Sequence, residues 1–369
     1  MRITLGFTRI FVGILFIFSG LIKANDPMGL SYKMQEFFEI WGMHFLNDFS
    51  LSLSILMIAF EIIAGIAVLL GWQFRLFSWL LFLLIIFFTF LTGYAVFSGK
   101  IKECGCFGDC IKLTADQSFA KDLILLFMTG FLLIKRNSIQ SLLSTRVSVI
   151  LMIFFTFLSF AFQFYVLRNL PLVDCLPYKI GLKIQDQMKI PAGAIPDSTV
   201  INFVYQKEGK EVEFDAEHFP SDFNDSIYTF IKRYDKLIRE GNAKPPIKDF
   251  VIISSTGSDT TQAILNDPKD QWVLFVKSAG NQNEEWYSHV FNIAETTHKK
   301  SINLIAVTPE AESLAAIFAQ KKINIPIMKG DLVAIKTAAR SNPTLYQLRQ
   351  GQILAKYGKA SFKELENKL

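Results

Sequence analysis

Three of the four cysteines in this 369-residue chain fall within Cys104-Gly-Cys106-Phe-Gly-Asp-Cys110, and the fourth, Cys175, follows the last long apolar run. Thiols gathered at one water interface suit either disulfide exchange or the stapling of loops. A Cys-x-Cys pair closes on itself only as a small, strained ring, and strained disulfides are the labile, oxidising ones. Cys104 and Cys106 are therefore a candidate redox pair, with Cys110 and Cys175 a candidate second pair. Four cysteines allow three connectivities, and their spacing does not choose among them. Two bridges that only staple loops are the competing reading. No metal is expected, because Cys-x-Cys-x3-Cys lacks the paired knuckles of zinc sites. Asp109 beside Cys110 would raise a neighbouring thiol pKa by like-charge repulsion.

Glu61 is the second residue with chemical potential. It lies mid-way along an apolar run, where an ionised carboxylate is costly unless paired or protonated. With the first two apolar runs antiparallel, Arg9 is expected within about three residues of Glu61 in depth, roughly 5 Å at the helical rise. The two then form a structural ion pair or line a proton or quinone-headgroup site. The histidines at 44, 218, 289 and 298 are scattered. No Ser-His-Asp arrangement and no phosphate-cradling glycine loop is present.

The elements that must position these groups are mostly membrane-length. The chain is 51% apolar with 36 Phe, and the excess is confined to the first 167 residues. Runs at 3–22, 50–72, 76–98 and 146–167 are each long enough to cross a hydrocarbon layer about 30 Å thick. The run 119–134 is shorter and is expected to span if Lys121 and Lys135 snorkel. The first run is not read as a cleaved signal peptide, because Arg9 interrupts it. Arg2, Arg9, Arg75, Lys135, Arg136 and Arg146 mark the cytoplasmic ends. The cysteine loop, Cys175 and the whole C-terminal half are then expected on the outer, oxidising side. Gly6, Gly13 and Gly20 recur every seven residues, a close-packing seam against another helix. The aromatic segment 31–48 reads as an interfacial amphipathic helix. A net charge of +5, thinly spread, makes no basic face, so nucleic acid is not an expected partner.

Residues 168–190 read as a tether. Strand, turn and strand are expected from 199, then a short helix near 226–240. A break at Asn242-Ala-Lys-Pro-Pro246 follows. Beyond it, strands at 250–253, 272–276, 303–307 and 325–328 alternate with helices at 284–299, 309–321 and 331–339. A hairpin over 346–357 and a terminal helix close an α/β sheet of mixed direction.

The pattern Arg9…Gly13…Phe16…Gly20…Lys23, then Asp26-Pro27 and Glu61…Gly65…Gly71, resembles the DoxX family. The Cys-x-Cys-Phe-Gly loop resembles MauE, the related four-helix membrane protein of methylamine utilisation. The resemblance covers about residues 1–140. It implies a four-helix bundle and thiol redox, quinone-linked electron transfer or assisted disulfide formation. The fifth span and the tail depart from MauE and look like a longer DoxX-type architecture of Gram-negative bacteria. Residues 246–369 look like a membrane-tethered periplasmic thiol-reductase branch of the thioredoxin superfamily, with Pro343 where that family keeps a cis-proline. The Cys-x-x-Cys expected after the 272–276 strand is replaced by Lys277-Ser-Ala-Gly-Asn-Gln-Asn-Glu-Glu285, so that domain cannot exchange thiols itself and is read as a docking module.

The expected organisation is a bundle over 1–140, a fifth helix and tether over 141–190, a small β-rich region over 191–245 and a thioredoxin-like domain over 246–369. The expected setting is a bacterial inner membrane, multi-pass, with the C-terminal domain periplasmic. The expected partners are the bilayer and an envelope protein, and quinone is the candidate cofactor. Two functions remain open: envelope thiol–disulfide or quinone-linked electron transfer, or a non-catalytic scaffold with structural disulfides. Whether the chain is an enzyme is not decided by its residues.

Overall fold

A computed structural model describes residues 2–101, 105, 107–196, 198–239 and 241–369. Cys104 and Cys106 lie outside the described residues. The chain begins with α1 (Arg2–Asn25), α2 (Pro27–Ile40), a 3-10 turn (His44–Phe49), α3 (Ser50–Leu70), α4 (Phe74–Ser98), α5 (Ala115–Ile134) and α6 (Thr145–Arg168). Among the described residues, five helices are long and apolar enough to cross a membrane, α1, α3 with its preceding turn, α4, α5 and α6. The protein is therefore membrane-embedded and multi-pass. The interfacial segment breaks into α2 and the 3-10 turn.

Local chemistry sets the helix boundaries. Asp26 caps α2 by accepting from the Gly29 amide at 3.1 Å, and Pro27, which has no amide to satisfy, takes the first turn. Thr114 and Gln117 form a capping box at the start of α5. The glycine seam joins α1 to α3 at two of its three positions. A Cβ on Gly13 would lie 3.1 Å from the Gly65 carbonyl and 2.5 Å from Leu69, and one on Gly20 would lie 2.6 Å from Ile62. Gly6 meets nothing within 4 Å, because it lies one turn beyond the crossing.

The C-terminal half holds two sheets. β1 (Ser198–Lys207), β2 (Lys210–Asp215) and β3 (Tyr228–Arg239) form an antiparallel sheet ordered β2-β1-β3. Residues 228–239 are thus a strand rather than the expected helix. Their β-branched and aromatic residues pair with β1 from Tyr228↔Lys207 to Arg239↔Ser198. Tyr228 and Phe230 join Tyr205, Phe214 and Phe223 in an aromatic cluster. That cross-strand packing outweighs any helical preference.

The larger sheet follows the one-turn α7 (Ile184–Gln187). Its elements are β4 (Ile252–Ile253), α8 (Thr261–Leu265), β5 (Gln271–Phe275), α9 (Trp286–Lys299), β6 (Asn303–Thr308), α10 (Ala311–Gln320), β7 (Ile327–Gly330), α11 (Leu332–Ala338), β8 (Thr344–Arg349), β9 (Gln352–Gly358) and α12 (Phe362–Lys368). The order is β4-β7-β6-β5-β8-β9, with β5, β6 and β7 parallel and the β8–β9 hairpin antiparallel. Every residue of β5 is buried, Val273 and Phe275 in one core and Trp272 and Leu274 in the other. A strand covered on both faces needs no polar alternation. The Asn342–Pro343 bond is cis. The segment read as a tether is partly built in, since Tyr178 and Ile184 are buried in the first of these cores.

Candidate functional site

A cavity of about 270 Å³ opens between α1, α2, α3, α4 and α5. That is close to the roughly 300 Å³ lower bound of small-molecule pockets. Its walls are largely apolar and aromatic, with Phe37, Trp41 and Phe88 among them, and its polar lining includes Ser19, Lys23, Lys33, Glu61 and Lys121. Leu53 and Phe87 both line it and stand on the outer surface of the bundle. The opening is therefore lateral, onto a surface that lipid tails would cover. Gly105 also lines the cavity, and its two chain neighbours are Cys104 and Cys106.

Glu61 and Lys23 form an ion pair at the cavity wall, 1% and 3% exposed respectively. Ser19, one turn before Lys23, donates to the other Glu61 oxygen at 3.3 Å. The expected Arg9–Glu61 pairing is incorrect. Arg9 instead donates to the Val68 and Leu69 carbonyls at 2.8 and 2.5 Å, at the C-terminal end of α3. The glycine contacts explain why. They place Gly13 beside Gly65 and Gly20 beside Ile62, which leaves Arg9 some eleven residues, about 16 Å, from the depth of Glu61. There the guanidinium meets two carbonyls of the last turn of α3, of which Val68 also accepts from the Gly71 amide at 3.2 Å, and its positive charge suits a helix C-terminus.

Lys121 also departs from expectation. It turns into the bundle to pair with the fully buried Asp122 at 2.7 Å, and its amine sits 5.2 Å from the Phe107 ring centroid. Thr92 of α4 donates to the second Asp122 oxygen at 3.1 Å. Lys33 pairs with Glu36 at 3.0 Å. Each cavity lysine thus has a carboxylate partner, and the site is close to neutral.

Above the cavity, the structure joins Cys110 to Cys175 by a disulfide. Asp109, next to Cys110, therefore has no free thiol beside it to perturb. Its carboxylate instead accepts from Arg340 of the C-terminal domain at 2.6 Å, and Asp26 accepts from the same guanidinium at 2.8 Å. Arg340 is 7% exposed. Burial raises the Asp26 carboxyl above its ordinary range, with Arg340 opposing the shift and Asp109 adding to it. On the other side of the bridge, Asp174, next to Cys175, pairs with Lys356 at 2.7 Å. The ring of Tyr32 on α2 lies under Arg340, Lys277 and Lys336. Lys277 donates to its hydroxyl at 3.2 Å, and burial, reinforced by Arg340, holds the Lys277 amine down to about 7.

The C-terminal domain is therefore seated on its own bundle by one end. That end is the loop leaving β5, which begins at Lys277, and the loop entering β8, which carries Arg340. The two loops are tied together by Asn342, which accepts from the Lys277 amide at 2.8 Å and donates to the Ser278 carbonyl at 2.9 Å.

Of the residues singled out by sequence, Glu61 reaches the cavity, Cys110 and Cys175 are joined, and Arg9 lies far from Glu61. Lys23, known only from the resemblance pattern, Tyr32, read only as an interfacial aromatic, and Asp174, Lys277, Arg340 and Lys356 join the site only in the folded structure. Lys23 carried a usable signal. It shares a helix face with Ser19, and aligning Gly13 with Gly65 would have brought that face to Glu61. Arg340 carried none, because its partners are 231 and 314 residues away.

Comparison with known families agrees with the division seen here. The family described as methylamine utilisation protein MauE matches residues 1–135. A domain of unknown function (DUF8463) matches residues 199–240, the span of the three-stranded sheet. No curated protein and no solved structure matches the chain.

Proposed function

We propose that this protein is a bacterial inner-membrane thiol–disulfide exchange protein in which Cys104 and Cys106 are the redox pair and a membrane quinone is the electron acceptor. A partner dithiol on the periplasmic side loses two electrons and two protons to the Cys104–Cys106 disulfide. A quinone held in the cavity would supply the acceptor for the two electrons and two protons that the reduced pair gives up. The reading places the C-terminal half in the periplasm and gives the chain the methylamine-utilisation setting that the matching family's name carries.

One observation carries this reading. Gly105, between the two cysteines in sequence, lines a laterally open apolar cavity that also holds the buried Lys23–Glu61 pair. A neutral, ring-bearing head on a long apolar tail fits such a space. Leu53 and Phe87 would flank the tail of such a quinone, and Lys23 would offer a donor to its ring. Glu61 and Lys23 hold the proton and charge balance at that end. Arg9, too distant to share the site, anchors the end of α3. The order β6-β5-β8-β9, with α9 linking parallel β5 and β6, supports a thioredoxin-like domain. Its loop from Lys277 to Glu285 has no cysteine, so its task is positioning.

The competing reading is a scaffold whose cysteines are staples. The observation in its favour is Cys110–Cys175, which ties the loop before α5 to the start of the C-terminal half. Thiol trapping in membranes separates the two. Cys104→Ser is expected to abolish mixed disulfides with partner dithiols and dithiol-dependent quinone reduction. Glu61→Gln is expected to slow quinone reduction about tenfold or more while leaving the mixed disulfides intact. Quinone reduction at the wild-type rate in Cys104→Ser, with a thiol pool that resists mild reduction, would sink the redox reading.

A further inference from the structure

The two bridged cysteines share a pattern that the redox reading does not use. Each follows an aspartate, Asp109-Cys110 and Asp174-Cys175, and each aspartate is taken by a cation of the C-terminal domain, Arg340 or Lys356. Both cations are nearly buried, at 7% and 5% exposed. Cys110 is exposed and Cys175 half-buried, so a reductant can reach the bridge.

We infer that Cys110–Cys175 is a redox-sensitive latch: while the bridge is intact it presents Asp109 and Asp174 together and seats the C-terminal domain on the bundle, and its reduction releases that domain. The bridge spans 65 residues of sequence and joins two separate segments, the one carrying Asp109 before α5 and the chain leaving α6. Held together, their carboxylates meet both cations at once, and the second ion pair forms at the effective concentration set by the first. Parted, Asp109 can leave Arg340 with Asp26 alone. Asn25 remains bonded to Val173 by donating to its carbonyl at 2.8 Å and accepting from its amide at 3.0 Å. The tether thus keeps its place on α1 while the domain pivots.

The chemistry balances with a dithiol as the reductant. Its thiolate attacks one sulfur of the bridge and displaces the other, and its second thiol resolves the mixed disulfide. The dithiol gives up two electrons and two protons, and Cys110 and Cys175 become thiols. Beneath the seated end lies Gly105, whose added Cβ would stand 3.0 Å from Lys33, one residue after Tyr32. Release of the domain therefore frees Tyr32, whose chain neighbour Lys33 packs against Gly105 between the two cysteines of the proposed exchange. The latch rests on that reading only for its purpose, and its operation is measurable without it.

The test uses the full chain in lipid nanodiscs with Cys104→Ser and Cys106→Ser, so that Cys110–Cys175 is the only reducible bridge. Amide exchange is followed over α2 and residues 277–279 and 340–343, with and without dithiothreitol. Reduction is expected to raise exchange there tenfold or more while α1 and α3 stay protected. Arg340→Gln is expected to raise exchange at the same residues with the bridge intact, and reduction is then expected to add little. Unchanged exchange after verified reduction of the bridge overturns the latch. Loss of protection in α1 and α3 as well also overturns it, since the bridge would then hold the bundle rather than the domain. Release without any thiol exchange by the wild type would remove the redox reading and leave the latch standing.

Discussion

Two of the buried charge clusters among the described residues, Lys23–Glu61 and the one around Arg340, are held in different ways. Lys23 and Glu61 are 38 residues apart, on helices that pack through Gly13, Gly20 and Gly65. Their meeting is set by helix register within one bundle. Arg340 meets Asp26 and Asp109 across 314 and 231 residues, and its partners belong to a different unit. The first pair cannot part unless α1 and α3 separate. The second can part with both units folded. Similar chemistry therefore serves as a fixed wall of a cavity in one place and as a separable joint in the other.

The contrast is most sharply tested by removing one carboxylate from the bundle. Glu61→Ala leaves Lys23 buried without its partner and is expected to cost about 3–5 kcal/mol of bundle stability, read as a drop in thermal midpoint in detergent. Lys23→Met combined with Glu61→Leu should recover most of that loss, because the pair gains little over apolar packing. Recovery of stability without recovery of quinone reduction would assign the pair to the ligand rather than to the fold.

At the joint, Arg340→Gln is expected to weaken seating of the C-terminal domain by about 2–5 kcal/mol and to leave the bundle's thermal midpoint within a degree or two. Limited proteolysis between residues 168 and 198 is a direct readout. An equal fall in bundle stability would show that the two charge clusters are not separable after all.

The smallest effect is a pH dependence confined to the joint. Lys277 faces Arg340, Lys336 and Lys359, with Asp26 and Tyr32 as the opposing groups. Its amine is held to about 7 against an ordinary 10.5, so the seated domain binds fewer protons than a released one between those values. Raising the pH from 7 to 9 therefore favours seating, and below 7 this contribution no longer changes. Protection of α2 amides, measured relative to their intrinsic base-catalysed exchange rate, should rise across that interval, and Lys277→Met should flatten the dependence. A trend of opposite sign would place the released amine, rather than the seated one, in the more apolar setting.

Much of the architecture was legible in the residues because the signals are local. Five apolar runs have membrane length, and the glycine spacing of α1 marks a packing face. The alternation of short buried strands with amphipathic helices foretold the larger sheet. Reading 226–240 as a helix failed for a non-local reason: Tyr228 and Phe230 gain their contacts from β1 and β2, which lie earlier in the chain. The candidate site was legible at Glu61, which reaches the cavity, and the pairing of Cys110 with Cys175 was one of the connectivities the residues allowed. It was illegible at Lys121 and Arg340, since a lysine or arginine near a helix end normally reaches for water.

The sequence by itself determined which segments enter the membrane, where the thiols cluster and which carboxylate must be buried, since each follows from composition over a short stretch. Only the tertiary structure decided the partners. The placement of Gly13 beside Gly65 moved Arg9 about 16 Å away from Glu61 and left Lys23 beside it instead. The seating of the C-terminal domain turned two Asp-Cys steps into its points of attachment. Partner choice depends on distances of a few ångströms between elements far apart in the chain, and residue order alone does not encode those distances locally.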